Sequence, residues 1–389
     1  MENKGFTMIE LLAIITVLAT ILLVSFPTLI NMTRRDKERK YSDLEKTLCK
    51  AGETYIYNNK DLFPEINKAE EIFYLRISNL MEEELVNKSE TNPKTEKSIT
   101  SNLLKYEVKS DKSLSCTYLD HSLGTLLKDN GDGKLSVGDK YEYEVKPGEK
   151  YNFYVLSIEN DSVNLIMDRN ICEDGTTDYR EDNNYCRYAW YDDGDNPVNY
   201  SNDTNLFGPV TAMTVLGNAT RNWTNVPNIN LEYNDVIDNA ESVCCLSNTD
   251  GGYTGMTITD GIGYITKKDG ATQIPIALTD NKPIKARLPK NSEIYKNHCD
   301  KWSGTCPVWL VENLRYDGIQ DDKYSLNSAN ISGTSIYNIY GYWLLSSNPG
   351  DSDYARNVTY SGSMLENSTS VVISIGIRPV ITVPKLDLS

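Results

Sequence analysis

Histidine is nearly absent: only His121 and His298 occur in 389 residues. That scarcity excludes metal centres built on spaced histidines and removes the side chain best suited to proton transfer near neutral pH. His298 adjoins Cys299, but a base must reach its nucleophile in space and adjacent side chains diverge, so the pair is not read as catalytic. The chain has no Cys-x-x-Cys, no Gly-rich phosphate loop and no nucleophile elbow. Cys299 and Cys306 are too widely spaced for a zinc knuckle. Basic residues are in deficit, 39 Lys and Arg against 55 Asp and Glu, for a formal charge of −16. Phosphate backbones are bound by clustered Lys and Arg, so nucleic acid is excluded as a main partner. No enzyme and no cofactor is expected from this inventory.

Long apolar runs are also missing, with one exception at the N-terminus. Leu11 to Phe26 carries no charge, and Thr28 to Ile30 can extend it toward the about 20 residues of a spanning helix. The run opens on Gly5-Phe6-Thr7-Met8-Ile9-Glu10-Leu11-Leu12. Glu10 is a carboxylate at the head of an apolar segment, where an ionised group costs up to roughly 2.5–3.5 kcal/mol at a helix centre and less near an end. A plain anchor has no use for it. A secretory signal would end on a small-residue cleavage site, whereas this run ends on Ser25-Phe26-Pro27-Thr28.

The octet resembles the processing and assembly signal of type IV prepilins and pseudopilins. The resemblance implies cleavage by a prepilin peptidase between Gly5 and Phe6, with N-methylation of Phe6. It implies that Glu10 meets the terminal amine of a neighbouring pilin subunit during assembly. Pro27 is similar to the proline that bends the family's long helix. Arg34, Arg35, Lys37, Arg39 and Lys40 follow the run and only Lys4 precedes it, which by charge bias alone orients the helix the other way. The more specific motif decides the reading. The expected location is the cell membrane for precursor and subunit pool, reached through the N-terminal helix, and an extracellular filament for assembled protein.

Eight cysteines follow this segment, an even count that in an exported chain favours disulfides. The expected pairs are Cys49–Cys116, Cys172–Cys186 and Cys299–Cys306. Cys244 and Cys245 form a vicinal bridge or pair elsewhere. Tyr41, Leu44, Leu48, Ala51 and Tyr55 recur at spacings of three and four and predict one apolar helix face. Asn58-Asn59 and Pro64 supply the stop. A second helix is expected over 68–86, with Ile72, Phe73, Ile77, Leu80 and Met81 on one side. The polar tract 87–102 reads as a loop, and Leu104 to Val108 and Ser115 to Tyr118 as strands.

From Gly138 the period changes to two. Tyr151 to Ile158 and Ser162 to Met167 flank Glu159-Asn160-Asp161 as a hairpin, and residues 370–374 and 377–383 read as terminal strands with Pro379 at an edge or bulge. Helices are expected near 209–216, 234–240 and 290–296. The phrases Leu165-Ile166-Met167-Asp168, Ala286-Arg287-Leu288-Pro289, Tyr342-Trp343-Leu344-Leu345-Ser346-Ser347 and Gly376-Ile377-Arg378-Pro379-Val380-Ile381 resemble a domain of low-GC bacterial surface proteins. That domain is similar in layout to the C-type-lectin and formylglycine-generating-enzyme-like fold.

The expected fold class is therefore α+β. A long N-terminal membrane-embedded α-helix with a small pilin-like domain leads into a β-rich, loop-rich C-type-lectin-like domain. The expected organisation is a leader at 1–5, a long helix at 6–62 with its membrane segment at 6–30, the rest of the pilin-like part at 63–120, a linker at 121–137 and the surface domain at 138–389. Calcium ligands are sought at Asn130, Asp132 and Asp139, although Lys128 stands where the first carboxylate of such a loop belongs. Asp192, Asp193 and Asp195, and Asp317, Asp321 and Asp322, are acidic loops that either hold a hard cation or stay solvated. Trp190, Tyr191, Trp223, Trp302 and Trp343 are weighed as a carbohydrate-stacking platform against a core role. The function these readings imply is a minor pilin or pseudopilin that displays an adhesion domain for an external glycan or protein. The competing reading is an enzyme or cargo-handling domain on a pilin-like anchor.

Overall fold

The computed structural model describes residues 8–129, 134–175, 188, 209–229, 231, 253–259, 262–267, 273–278, 283–299, 304–314, 341–347, 354–359, 362–368 and 375–388. The chain divides into two compact units, Met1–Ser122 and Leu123–Ser389.

The first unit begins with α1 (Met8–Asn58), one continuous helix of 51 residues through Pro27. Among the described residues no helix is long and apolar enough to cross a membrane, which overturns the expected membrane-embedded helix. The C-terminal half of α1 behaves as its periodicity requires. Leu44, Leu48 and Ile56 are buried, with Tyr41, Ala51 and Tyr55 packed against them. Residues Asn59 and Pro64 end the helix in two short 3-10 turns, Lys60–Leu62 and Pro64–Asn67.

That face lies on an antiparallel sheet of β1 (Ile72–Arg76), β2 (Leu103–Val108) and β3 (Leu114–Leu119), in that order. The expected helix over 68–86 is corrected here. Its first part is β1, where Phe73 and Leu75 alternate inward, and only α2 (Ile77–Glu82) is helical. Pairing with β2, some thirty residues away, overrides a run that has helical spacing too. The tract 87–102 is a loop with one bridge between Thr91 and Ser98, yet its Ile99 is fully buried in the core. The Cys49–Cys116 disulfide staples α1 to β3. Beside it, Tyr106 Oη donates to Cys49 O at 2.9 Å, and its ring stacks on Phe73 at 5.4 Å.

The second unit is built on a five-stranded antiparallel sheet in the order β14-β7-β6-β5-β4. Its strands are β4 (Gly124–Lys128), β5 (Lys140–Lys146), β6 (Glu149–Ile158), β7 (Ser162–Met167) and β14 (Val380–Pro384). The β6–β7 hairpin turns at the expected residues, with Glu159 N donating to Ser162 O at 2.9 Å. Strand β4 falls inside 121–137, the stretch expected to be a linker, and pairs with β5. Pro379 lies just before β14, an edge strand of this sheet, where a missing N–H is tolerated. Two further antiparallel sheets are β8 (Tyr253–Thr259), β9 (Ile262–Lys267) and β10 (Gln273–Leu278), and β11 (Gly341–Ser347), β12 (Tyr354–Thr359) and β13 (Met364–Ser368). Among the described residues the unit also carries the short helices α3 (Val210–Thr220), α4 (Asn291–Lys296) and α5 (Val308–Val311) and a 3-10 turn at Lys385–Leu388. Residues 234–240 and 370–374 lie outside the described set. The fold is thus a mixed α/β arrangement with mostly sheet, in place of the expected α+β assembly on a membrane-embedded helix.

Two buried arginines fix the loops on this framework. Arg287 forms a two-bonded pair with Glu293, at 2.5 and 2.8 Å. Arg378, fully buried, donates to the main-chain carbonyls of Leu310, Asp168 and Glu312 and lies 5.1 Å from the Tyr342 ring. Five N–H donors in a planar fork allow one guanidinium to hold three chain segments together.

Candidate binding cleft

The β5–β6 turn, the segment after β7 and the end of α3 enclose a cleft of about 460 Å³ in the second unit. Its wall is built on Trp223, which is 1% exposed and lies 5.6 Å from the Tyr151 ring and 6.3 Å from Phe153. Sequence dictates this placement. Phe153 points inward from β6, while α3 buries Val210, Ala212, Met213, Val215 and Leu216 and delivers the chain to the tight turn that carries Trp223. Asn225 then ties that turn to β5, donating its main-chain N–H to Val145 O and its amide to Glu144 O, each at 2.9 Å.

Polar groups ring the mouth. Lys146 pairs with Glu149 at 2.6 Å, and the Tyr151 hydroxyl donates to Glu149 at 2.9 Å. Asn218 donates to Glu173 at 3.2 Å and accepts from Arg221 at 2.6 Å. Asp174, Gly175 and Asn222 complete the lining. Glu149, Glu173 and Asp174 thus line the cleft with Lys146, whose ammonium pairs with Glu149, and Arg221 stands beside Asn218. The C-terminal end of α3 adds the partial negative charge of its carbonyls, with Arg221 standing at its cap. Such a cleft offers acceptors and suits a ligand rich in N–H or O–H donors. Among the described residues no group of three or more His, Cys, Asp or Glu is placed to hold a metal ion.

The residues singled out from sequence fall mostly elsewhere. Gly5 and Phe6 lie outside the described residues, and Glu10 is placed only as a backbone position in the first turns of α1. Cys49–Cys116 and Cys299–Cys306 are joined. Cys172 is disulfide-bonded, while its expected partner Cys186, like Cys244 and Cys245, lies outside the described set. With Cys299 in a disulfide, the His298–Cys299 neighbourhood carries no thiol. Asn130 and Asp132 are outside the description. Asp139 is buried and caps its own turn, accepting from Ser136 N at 2.7 Å and Ser136 Oγ at 3.2 Å.

The acidic groups at 192–195 and 317–322, and Trp190, Tyr191 and Trp302, lie outside the description too. Of the two readings weighed for the tryptophans, the two that can be placed take the core role. Trp223 and Trp343 are buried, and the Trp343 indole N–H donates to Tyr188 O at 2.8 Å. Neither offers a free ring face. Glu149, Tyr151, Glu173 and Asn218 were not found from sequence. Their one signal is an aromatic at the start of a strand followed, across a turn and a helix, by carboxamides. Comparison of the chain with protein-family models, curated proteins and solved structures finds no match in any of the three.

Proposed function

We propose that this chain is a subunit of an extracellular filament of the pilin type, cut by a prepilin peptidase after Gly5 and carrying a ligand-binding unit at 123–389. The observation that carries the reading is the start of α1. Met8, Ile9, Leu11, Leu12, Ile14, Ile15, Val17 and Leu18 are between 44% and 85% exposed, far beyond the scattered apolar residues of an ordinary surface. The hydroxyls in this stretch are satisfied within the helix. Thr16 donates to Leu12 O at 2.8 Å, and Thr20 to Val17 O at 2.8 Å. A segment so arranged loses little by leaving water, and the same helix of neighbouring subunits is the cover that the Phe6 and Glu10 chemistry specifies.

Pairing of the Phe6 amine with a neighbour's Glu10 offsets the desolvation of both charges in that setting. The test is Glu10→Ala, assayed by shearing filaments from cells and blotting the sheared and cell-bound fractions. The variant accumulates at wild-type level with its first unit folded, but is lost from the sheared fraction. Incorporation at wild-type level refutes the assignment.

A further inference from the structure

We propose that Lys140 and Asp168 condense into an isopeptide bond within the second unit, with Glu312 carrying the proton. Lys140 opens β5 and Asp168 follows β7, on either side of β6. The Lys140 side chain is 16% exposed and that of Asp168 1%, and their Nζ and Oδ2 atoms lie 3.1 Å apart. Glu312 Oε2 is 2.9 Å from the same nitrogen. Arg378 sets this meeting, because it grips the main-chain carbonyls of both Asp168 and Glu312.

Two details distinguish the site from a structural ion pair. Asp168 Oδ2 is buried and in ion-pair contact with Lys140 Nζ, but among the described residues no donor reaches it at a well-aligned hydrogen-bond angle. Asp168 Oδ1 instead receives Arg169 Nε at 2.9 Å. A donor fixed on that oxygen is where negative charge develops when a nucleophile adds to the carboxyl carbon. Tyr154 positions the shuttle. Its hydroxyl donates to Glu312, and its ring lies 4.9 Å from Lys140 Nζ.

The resting groups are ionic. Burial draws the Lys140 amine down, but Glu312 and Asp168 outweigh it and raise it. Burial pushes Asp168 up, and Arg169 and Lys140 outweigh that and lower it. The reaction starts when Glu312 takes a proton from Nζ. The freed lone pair adds to Asp168 Cγ, the C–N bond forms, and the Cγ–Oδ2 bond breaks. Oδ2 departs as water with two of the three ammonium protons, one of them returned by Glu312. Ammonium plus carboxylate gives amide plus water, with no change of oxidation state and no co-reactant. Holding amine and carboxyl in contact supplies the effective concentration that free groups lack.

The test is mass spectrometry of the purified full chain after reduction and alkylation of its cysteines. The expected mass is one water below that of the sequence with its eight cysteines alkylated. Trypsin then releases a branched species joining residues 135–150 to 151–169, uncut at Lys140 and at the Lys146–Pro147 bond. Lys140→Arg returns the chain to full mass. Asp168→Asn still cross-links but loses ammonia in place of water. Glu312→Gln stays at full mass with an unchanged circular dichroism spectrum. A wild-type chain that remains at full mass after prolonged incubation at neutral pH overturns the proposal, and so does a lost water mapped to any peptide other than this branched pair.

Discussion

Replacing Glu293 by Gln isolates the value of one buried charge pair in the second unit. The Arg287 and Glu293 side chains are 5% and 8% exposed and meet through two hydrogen bonds. Glu293 also accepts the Lys290 N–H at 2.9 Å, which starts α4. The Gln side chain keeps the shape but leaves the guanidinium without its counter-charge, a change that costs about 3–5 kcal/mol for a buried pair. Domains of this size are stabilised by only about 5–15 kcal/mol, so the loss is a large fraction of the total. The pH dependence has a definite sign. Burial pushes the Glu293 carboxyl up, but Arg287 outweighs it and holds the group below the usual carboxylate range. Its contribution is therefore fully present above the unfolded value of about 4.3 and is lost as pH falls through the lower folded value.

Amide hydrogen exchange reads this locally. Arg287 and Val380 exchange main-chain hydrogen bonds at 2.9 and 2.8 Å, and Ile294 N donates to Lys290 O at 3.2 Å. Protection at Val380 and Ile294 falls about 10²- to 4 × 10³-fold in Glu293→Gln at pH 7, since each 1.4 kcal/mol is tenfold. As pH falls below the unfolded value of about 4.3 the wild-type chain destabilises and the variant follows a flatter course. Protection within about threefold of wild type, or the same acid slope in both proteins, refutes the reasoning.

Four further outcomes follow from the same structure. Gly52→Ala places a Cβ against the Tyr106 hydroxyl and 2.9 Å from Leu104 Cδ1; overpacking of about 1–3 kcal/mol exceeds the helix-propensity gain of about 1 kcal/mol, so the midpoint of urea unfolding of the first unit falls. Joint replacement of Cys49 and Cys116 by Ser opens a loop of 67 residues, worth about 4 kcal/mol in the chain-entropy account, and thermal unfolding of the first unit reports the loss. Trp223→Ala removes the cleft wall and destabilises the second unit by about 3–5 kcal/mol, seen in urea titration. Gly5→Val leaves the precursor uncut, because any Cβ obstructs a peptidase that must approach the backbone closely; mass spectrometry of the variant still starting upstream of Phe6, against wild type starting at Phe6, checks this.

Local order was legible where one periodicity was unopposed. Tyr41 to Tyr55 and the turn at 159–161 needed only their own neighbours to be read. Ile72 to Met81 fits two periods at once, and β2 chose between them. Arg287 and Arg378 stand in phrases picked out as a resemblance, but nothing local tells that one meets Glu293 and the other three carbonyls. The cleft was hidden for the same reason. Tyr151 and Trp223 are 72 positions apart, and only the fold brings their rings within 5.6 Å. The apolar N-terminal run was plain in the sequence; its expected role as a spanning helix was not upheld.

The Cys49–Cys116 staple has a mechanical consequence. A chain held at its N-terminus and loaded at its C-terminus carries tension along the shortest covalent path. That path leaves α1 at Cys49, crosses the sulfurs and rejoins the chain in β3 at Cys116, with 67 positions of sequence separation in parallel. Strands β1 and β2 and the part of α1 that follows Cys49 lie within that bypassed stretch. Even if they came apart, the oxidised chain would gain no length from them. Reduction would release roughly 230 Å of slack, at about 3.3–3.6 Å per extended residue. In a pulling experiment the redox state of two sulfurs would then decide whether this unit acts as a rod or as a spring.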